Sequence, residues 1–318
     1  MVNYGDIMQK TALLFAGQGA QYVGMGKDLA ELFPSTRPWL EQSRSLLGFD
    51  LPALCANGPE DELTKTENAQ PAIFLVSWLG LQLLQERVPG FTFQATAGLS
   101  LGELTALTAA GVFEFRDGLK IARQRGRFMQ EACEATRGGM AAVLGLGLDA
   151  TRAACAEADV EVANLNCPGQ IVISGESDKI ARACELAKSK GAKRAVALPV
   201  AGAYHSRLMA GAKPKVAAML ANVAINIPAV DVISNVTARP HTFPDAIAAR
   251  LVEQVTSEIR WEDSIRYLLE QGFTRFVELG PGTTLCGFLK RIDPKAQSYN
   301  VADAASLEAT VKALKALQ

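Results

Sequence analysis

The chain has 318 residues, 49% of them hydrophobic, and 27 glycines. That is about twice the usual single-domain length, enough for one large domain or two smaller ones around a sizeable core. Lys and Arg number 32 against 33 Asp and Glu, and a formal charge of -1 removes the electrostatic case for nucleic acid or an anionic membrane as the principal partner.

Met1 to Lys10 lacks the basic and apolar regions of a secretory signal, so a cytoplasmic protein is expected. Thr11 to Ala16 is a short apolar run that ends in Gly17-Gln18-Gly19, which reads as a strand entering a tight turn. Ala69 to Gln85 reads as a helix. Its uncharged stretch, Ala72 to Leu84, falls short of the roughly 20 residues that span a bilayer and is expected to be buried. Ala95 to Gly98 is a second strand, followed by helices over Leu101 to Ala110 and Phe115 to Ala132. Strand, turn and helix in repetition form the unit of a parallel α/β sheet.

From Met140 the pattern changes to strand (Met140–Leu144), helix (Asp149–Ala158), strand (Val160–Asn164), turn at Pro168-Gly169, strand (Gln170–Ser174), helix (Ser177–Lys190) and strand (Arg194–Leu198). That β-α-β-β-α-β order is ferredoxin-like. It predicts a small subdomain of residues 132–200 inserted into a large α/β-hydrolase-like subdomain with a parallel sheet, made of residues 1–131 and 201–318, with a cleft between them where ligands favour binding. Helices over Leu208–Ala221 and Trp261–Glu270 and a late strand over Phe276–Leu279, stopped by Gly280-Pro281-Gly282, complete the large part. The six cysteines never approach C-x-x-C spacing and read as buried free thiols in a reducing compartment, with no metal site.

Gly98-Leu99-Ser100-Leu101-Gly102 matches G-x-S-x-G, the nucleophile elbow. Its placement between a strand and a helix puts Ser100 beside a helix N-terminus whose N–H groups suit a developing oxyanion; a purely structural turn is the competing reading. A serine nucleophile needs a base, and the chain has only two histidines. His205 follows the strand that closes the small subdomain and faces the cleft, whereas His241 lies in a loop-like stretch and is expected to be solvated. Turning Phe115 to Ala132 at about 100° per residue puts Arg125 in the middle of the apolar face. A buried guanidinium either meets an internal carboxylate or waits for an anionic ligand, and the pattern leaves both open. Gly17 to Gln21 lacks the lysine of a P-loop, so a strand-end loop presenting a backbone N–H towards Ser100 fits better.

GQGAQ at Gly17 to Gln21, GLSLGE at Gly98 to Glu103, RGRFMQEA at Arg125 to Ala132, AYHS at Ala203 to Ser206 and LVEQV at Leu251 to Val255 occur in the order seen in malonyl-CoA:acyl carrier protein transacylases of type II fatty acid synthesis, which the chain resembles from about Thr11 onward. The resemblance implies a malonyl-serine intermediate at Ser100 and a base at His205 oriented by the backbone carbonyl of Gln254. It also implies an oxyanion hole from the N–H groups of Gln18 and Leu101, and Arg125 as holder of the malonyl carboxylate. Malonyl-CoA and holo acyl carrier protein are the implied partners, and no cofactor is implied. Two positions depart from the commonest pattern: Leu99 replaces a histidine before the serine, and Tyr204 stands where malonyl-selective relatives often have phenylalanine. A serine hydrolase with the same elbow and a non-catalytic carrier-binding protein are the alternatives.

Overall fold

A computed structural model describes residues 9–317. The segment on which the absence of a signal sequence was argued lies, up to residue 8, outside the described residues. Among the described residues nine strands form two sheets. The larger consists of β1 (Lys10–Phe15), β2 (Ala95–Gly98), β7 (Asp231–Ile233), β8 (Phe273–Leu279) and β9 (Gln297–Val301), in the order β7-β2-β1-β8-β9 with every neighbouring pair parallel.

A parallel sheet needs cover on both faces, and β1 shows it by the two-residue alternation of its side chains. Leu13 and Phe15 join one buried cluster with Phe74, Leu104 and Met129, while Ala12 and Leu14 join another with Trp261, Ile265 and Leu289. Ile73 to Leu84 lies in a single helix, Thr66–Arg87, buried almost throughout. That helix carries Pro71 inside it. Proline removes the N–H that would reach the carbonyl of Glu67. Nη1 of Arg123 donates to that carbonyl instead, at 2.6 Å. No helix among the described residues is long and apolar enough to cross a membrane.

The second sheet holds β3 (Gly138–Leu144), β4 (Glu161–Cys167), β5 (Gln170–Glu176) and β6 (Arg194–Ala197), in the order β4-β5-β3-β6 and antiparallel throughout. Helices Leu148–Ala158 and Ser177–Ser189 are packed on it around Val143, Ile173, Ile180 and Ala187. The ferredoxin-like order therefore exists as an antiparallel subdomain beside the five-stranded sheet, with no strand of one entering the other.

One expected element breaks in two. Leu208 to Ala221 is not a continuous helix but a 3-10 segment, Arg207–Ala212, followed by an α-helix, Lys213–Leu220. Pro214 is the cause. It is favourable in a first helical turn but its ring clashes with the carbonyl four residues earlier in a helix interior, so the α-helix starts just before it.

Candidate active site

Ser100 stands at the end of β2 and caps the helix Leu101–Ala109 with φ 53° and ψ −102°, a backbone conformation that L-residues rarely adopt. The elbow is tight because its glycines are crossed at close range. A Cβ on Gly98 would lie 1.9 Å from the carbonyl carbon of Gly102, and one on Gly102 would lie 2.2 Å from the carbonyl oxygen of Phe15. The G-x-S-x-G spacing is thus a packing requirement of strand against helix. The main chain is held from behind by Asn235, whose Oδ1 accepts the Ser100 N–H at 2.7 Å while its Nδ2 donates to the carbonyl of Gly98 at 2.7 Å.

His205 also has a positive φ, 59°, and its ring sits over the serine with Nε2 2.8 Å from Ser100 Oγ and Nδ1 2.9 Å from the carbonyl oxygen of Gln254. A carbonyl can only accept, so Nδ1 carries the proton and Nε2 is the free lone pair that takes the serine hydroxyl hydrogen. Burial, reinforced by the charge of Arg125, pushes the His205 pKa down to about 3 against the opposing carbonyl hydrogen bond. The imidazole is neutral at pH 7. Among the described residues no side-chain acid touches it, and the hydrogen bond to the Gln254 carbonyl stands in the orienting place an aspartate holds in a triad.

Arg125 is fully buried in the helix Phe115–Glu134. That helix approaches Thr66–Arg87 closely through Gly126, where a Cβ would come within 2.6 Å of the Thr66 carbonyl oxygen. Among the described residues the guanidinium meets only neutral acceptors: Nη1 donates to Gln70 Oε1 at 2.8 Å, and Nη2 to Gln254 Oε1 at 2.8 Å and to Ser100 Oγ at 3.2 Å. Its Nε has no partner among the described residues. Burial brings its pKa down to about 10, so it remains cationic at neutral pH. Of the two readings of a buried arginine, direct pairing with an internal carboxylate finds no partner among the described residues.

Gln18 follows β1, and its backbone N–H, like that of Leu101, donates to no protein acceptor among the described residues. Gln18 borders the cleft together with Ser100, and Leu101 opens the helix that Ser100 caps. The cleft is a cavity of about 450 Å³ lined by Gln18, Leu99, Ser100 and His205 on one side and by Met140, Asn164, Asn166 and Val172 of the small sheet on the other. Asn164 and Asn166, two residues apart on β4, share a face by strand alternation, and Asn166 Oδ1 is buried without a partner. Leu99 lines the cavity with an apolar side chain. Tyr204 is buried, its hydroxyl in hydrogen-bond contact with Thr66 Oγ1.

His241 does not stand in solvent. Its N–H donates to the carbonyl of Val232 at 2.8 Å, and a bridge between Ile233 and Pro240 folds the loop onto β7, turning the ring inward until Nε2 lies 2.7 Å from Glu103 Oε1. Both side chains are buried. The polar, proline-containing stretch around His241 hid this, because a loop pinned to a sheet edge has the composition of an exposed one. Glu103, Asn235, Gln70 and the side chain of Gln254 are the site residues that the motif reading passed over. The one available signal was an acid, Glu103, on the otherwise apolar helix that follows the elbow.

Residues 12–311 match the family model described as the acyl transferase domain. The chain is 42% identical over 313 residues to the malonyl CoA-acyl carrier protein transacylase of Bacillus subtilis, covering 97% of this chain and 98% of that one. Among solved structures it superposes on an acyl carrier protein S-malonyltransferase from Vibrio cholerae with a TM-score of 0.91 and 39% identity, covering 95% of this chain and 99% of the other. It superposes equally on a malonyl-transacylase solved in complex with a type II polyketide acyl-carrier protein, with a TM-score of 0.92 and 37% identity over 96% and 99%. With this geometry and these relatives over almost its whole length, the chain belongs to the acyl transferase domain family, in its malonyl CoA-acyl carrier protein transacylase branch.

Proposed function

We propose that Ser100, His205 and Arg125 carry out malonyl transfer from malonyl-CoA to the phosphopantetheine thiol of holo acyl carrier protein in two half-reactions through a malonyl-serine ester. His205 Nε2 takes the hydroxyl proton as Ser100 Oγ attacks the thioester carbon. The tetrahedral oxyanion is received by the unspent N–H groups of Gln18 and Leu101, at the positive end of the elbow helix. His205 then returns the proton to the departing CoA thiolate. The carrier thiol attacks the ester by the reverse path, so donor and product are both thioesters and the exchange is near thermoneutral. The Nδ1–H bond to the Gln254 carbonyl keeps the ring in the tautomer that both steps need. The chain is read as two subdomains, residues 1–131 with 201–318 and residues 132–200, and transfer takes place in the cleft between them. Six unpaired cysteines agree with a cytoplasmic enzyme.

The observation that carries the malonyl assignment is a buried cation without an anionic partner, 3.2 Å from the nucleophile. Nη2 spends its two hydrogens on Gln254 and Ser100 and Nη1 one on Gln70, so Nη1 and Nε each keep one N–H unspent, and a carboxylate that takes over the long 3.2 Å contact from Ser100 gains a parallel pair of N–H groups. A general esterase has no use for such a group. Arg125→Ala is therefore expected to lower malonyl kcat/KM by roughly 2 to 5 kcal/mol, about 30-fold to several thousand-fold, and to narrow or reverse the preference for malonyl-CoA over acetyl-CoA. Arg125→Lys should restore malonyl transfer only in part, because an ammonium lacks the planar fork. An unchanged malonyl-to-acetyl ratio in Arg125→Ala would remove the assignment.

A further inference from the structure

Behind the elbow lies a second polar cluster that the transfer chemistry does not use. Glu103 is fully buried on the elbow helix, and its two carboxyl oxygens are shared by three neighbours. Oε2 accepts from the backbone N–H of Asn235 at 3.0 Å and from Gln254 Nε2 at 2.7 Å, while Oε1 faces His241 Nε2 at 2.7 Å. Gln254 is the link to the front. Its Nε2 points back to Glu103, to the Ser100 carbonyl at 3.1 Å and to Asn235 Oδ1 at 3.2 Å, and its Oε1 points forward to Arg125 Nη2.

A carboxamide has one donating and one accepting end, and which end faces the arginine is decided by what holds the other. Three acceptors draw Nε2 backward, and Glu103 is the shortest of them. Were the amide reversed, two N–H groups would face the guanidinium and the carbonyl oxygen would face a carboxyl oxygen. We infer that Glu103, anchored by His241, is a positioning residue for acyl-group selection: by fixing the orientation of the Gln254 carboxamide it sets the Arg125 guanidinium to receive a substrate carboxylate. The inference rests on the reading of Arg125 given above. It also explains how a guanidinium without a direct ion pair is kept buried, since its nearest negative group lies one amide away. Gln254 thereby serves both catalytic partners, His205 through its backbone oxygen and Arg125 through its side chain.

The test uses Glu103→Ala and Glu103→Gln, with kcat and KM measured for malonyl-CoA and acetyl-CoA. Glutamine offers one acceptor oxygen to three neighbours and keeps the volume, so it carries the test should the alanine variant fail to fold. The expected result is a malonyl kcat/KM lower by roughly tenfold or more in the folded variants, with a smaller loss for acetyl, so that the ratio narrows. In an Arg125→Ala background the same substitutions should no longer alter the ratio, because their effect on selection runs through the guanidinium. A merely structural Glu103 would depress both donors alike, in both backgrounds, alongside a lower melting temperature, and that outcome overturns the inference. If Arg125→Ala narrows the ratio and neither Glu103 variant does, only the positioning role falls. If Arg125→Ala leaves it unchanged, the reading of Arg125 itself has failed.

Discussion

The two histidines lie on opposite sides of one strained serine, and both are buried. In front of the elbow His205 meets a hydroxyl and a carbonyl, near a cation; behind it His241 meets a carboxyl. A buried imidazole near a cation is kept neutral and has a lone pair to use, whereas one against a carboxyl has its Nε2 committed to that partner. What separates the proposed base from the brace here is the partner, since burial is common to both. The front is also open to the cleft on its ligand side, while the rear is closed by β7 and its loop.

Substitutions should break this asymmetry in a definite order. Ser100→Ala is expected to abolish the covalent malonyl adduct seen by mass spectrometry after mixing with malonyl-CoA, and with it the ping-pong kinetics. His205→Ala should slow formation and discharge of the adduct by roughly 10² to 10⁴, as loss of a positioned general base does. Adduct formation at the wild-type rate in His205→Ala, measured by rapid quench, would contradict the assignment of the base.

The pH response sharpens the comparison further. With a pKa near 3, His205 stays neutral from pH 7 to pH 5, so kcat/KM should show no imidazole limb there. An ordinary histidine with a pKa of about 6.5 would lose roughly tenfold or more over that range. The same shift fixes a sign for stability. The folded pKa is depressed, so the unfolded chain takes up the proton first. This group costs nothing above about pH 6.5, and stability then falls by about 1.4 kcal/mol per pH unit until about pH 3. Denaturant midpoints at pH 7 and pH 5 should converge in His205→Ala relative to wild type. An equal slope in both proteins would place the titration elsewhere.

His241→Ala is expected to act chiefly on stability. It leaves the Glu103 carboxyl oxygen buried without its neighbour, at about 1 to 3 kcal/mol, with a loss of malonyl selectivity smaller than that of the Glu103 variants. A melting temperature equal to wild type would show that the rear pair contributes nothing to the elbow.

The front of the site was legible in the sequence because its signals are local. Glycines on either side of Ser100 mark a turn that only they can make, and Arg125 announces itself by interrupting an apolar helical stripe. A scarcity of histidines narrowed the base to two, and position after β6 chose between them. The rear was not legible because it is assembled by sheet order. Glu103, Asn235, His241 and Gln254 come together only when β7 pairs with β2 and the helix Pro244–Gln254 ends beside the elbow. Glu103 and Gln254 lie in the motifs GLSLGE and LVEQV, yet those motifs say nothing of what their side chains meet, and Asn235 and His241 sit in no motif at all, which is why His241 was expected in solvent. The elements that the sequence reading named recur in the structure except at Pro214, where a proline within an apolar pattern starts a new helix, while the strands Asp231–Ile233 and Gln297–Val301 and the helices Pro244–Gln254 and Ala304–Lys315 were not named from sequence at all.

The smallest expected effect concerns Tyr204, where the front of the site departs from the commonest pattern. Tyr204 is buried next to His205 in the chain, and its hydroxyl is in hydrogen-bond contact with Thr66, at the start of the long helix. Burial also raises the phenol's pKa, so it stays protonated and uncharged at neutral pH. The hydroxyl therefore contributes hydrogen bonding to the frame, and the residue lines the cleft that the proposed function assigns to the acyl group. Tyr204→Phe keeps the ring and frees the Thr66 hydroxyl, for a stability loss of about 0.5 to 1.5 kcal/mol. The malonyl-to-acetyl ratio should stay within about twofold of wild type, because no group that touches Arg125 is changed. Tyr204→Ala removes the ring as well and should admit branched malonyl donors. A large change of ratio in Tyr204→Phe, read from kcat/KM with both donors, would show that the hydroxyl reaches the substrate and that selection is not confined to the arginine.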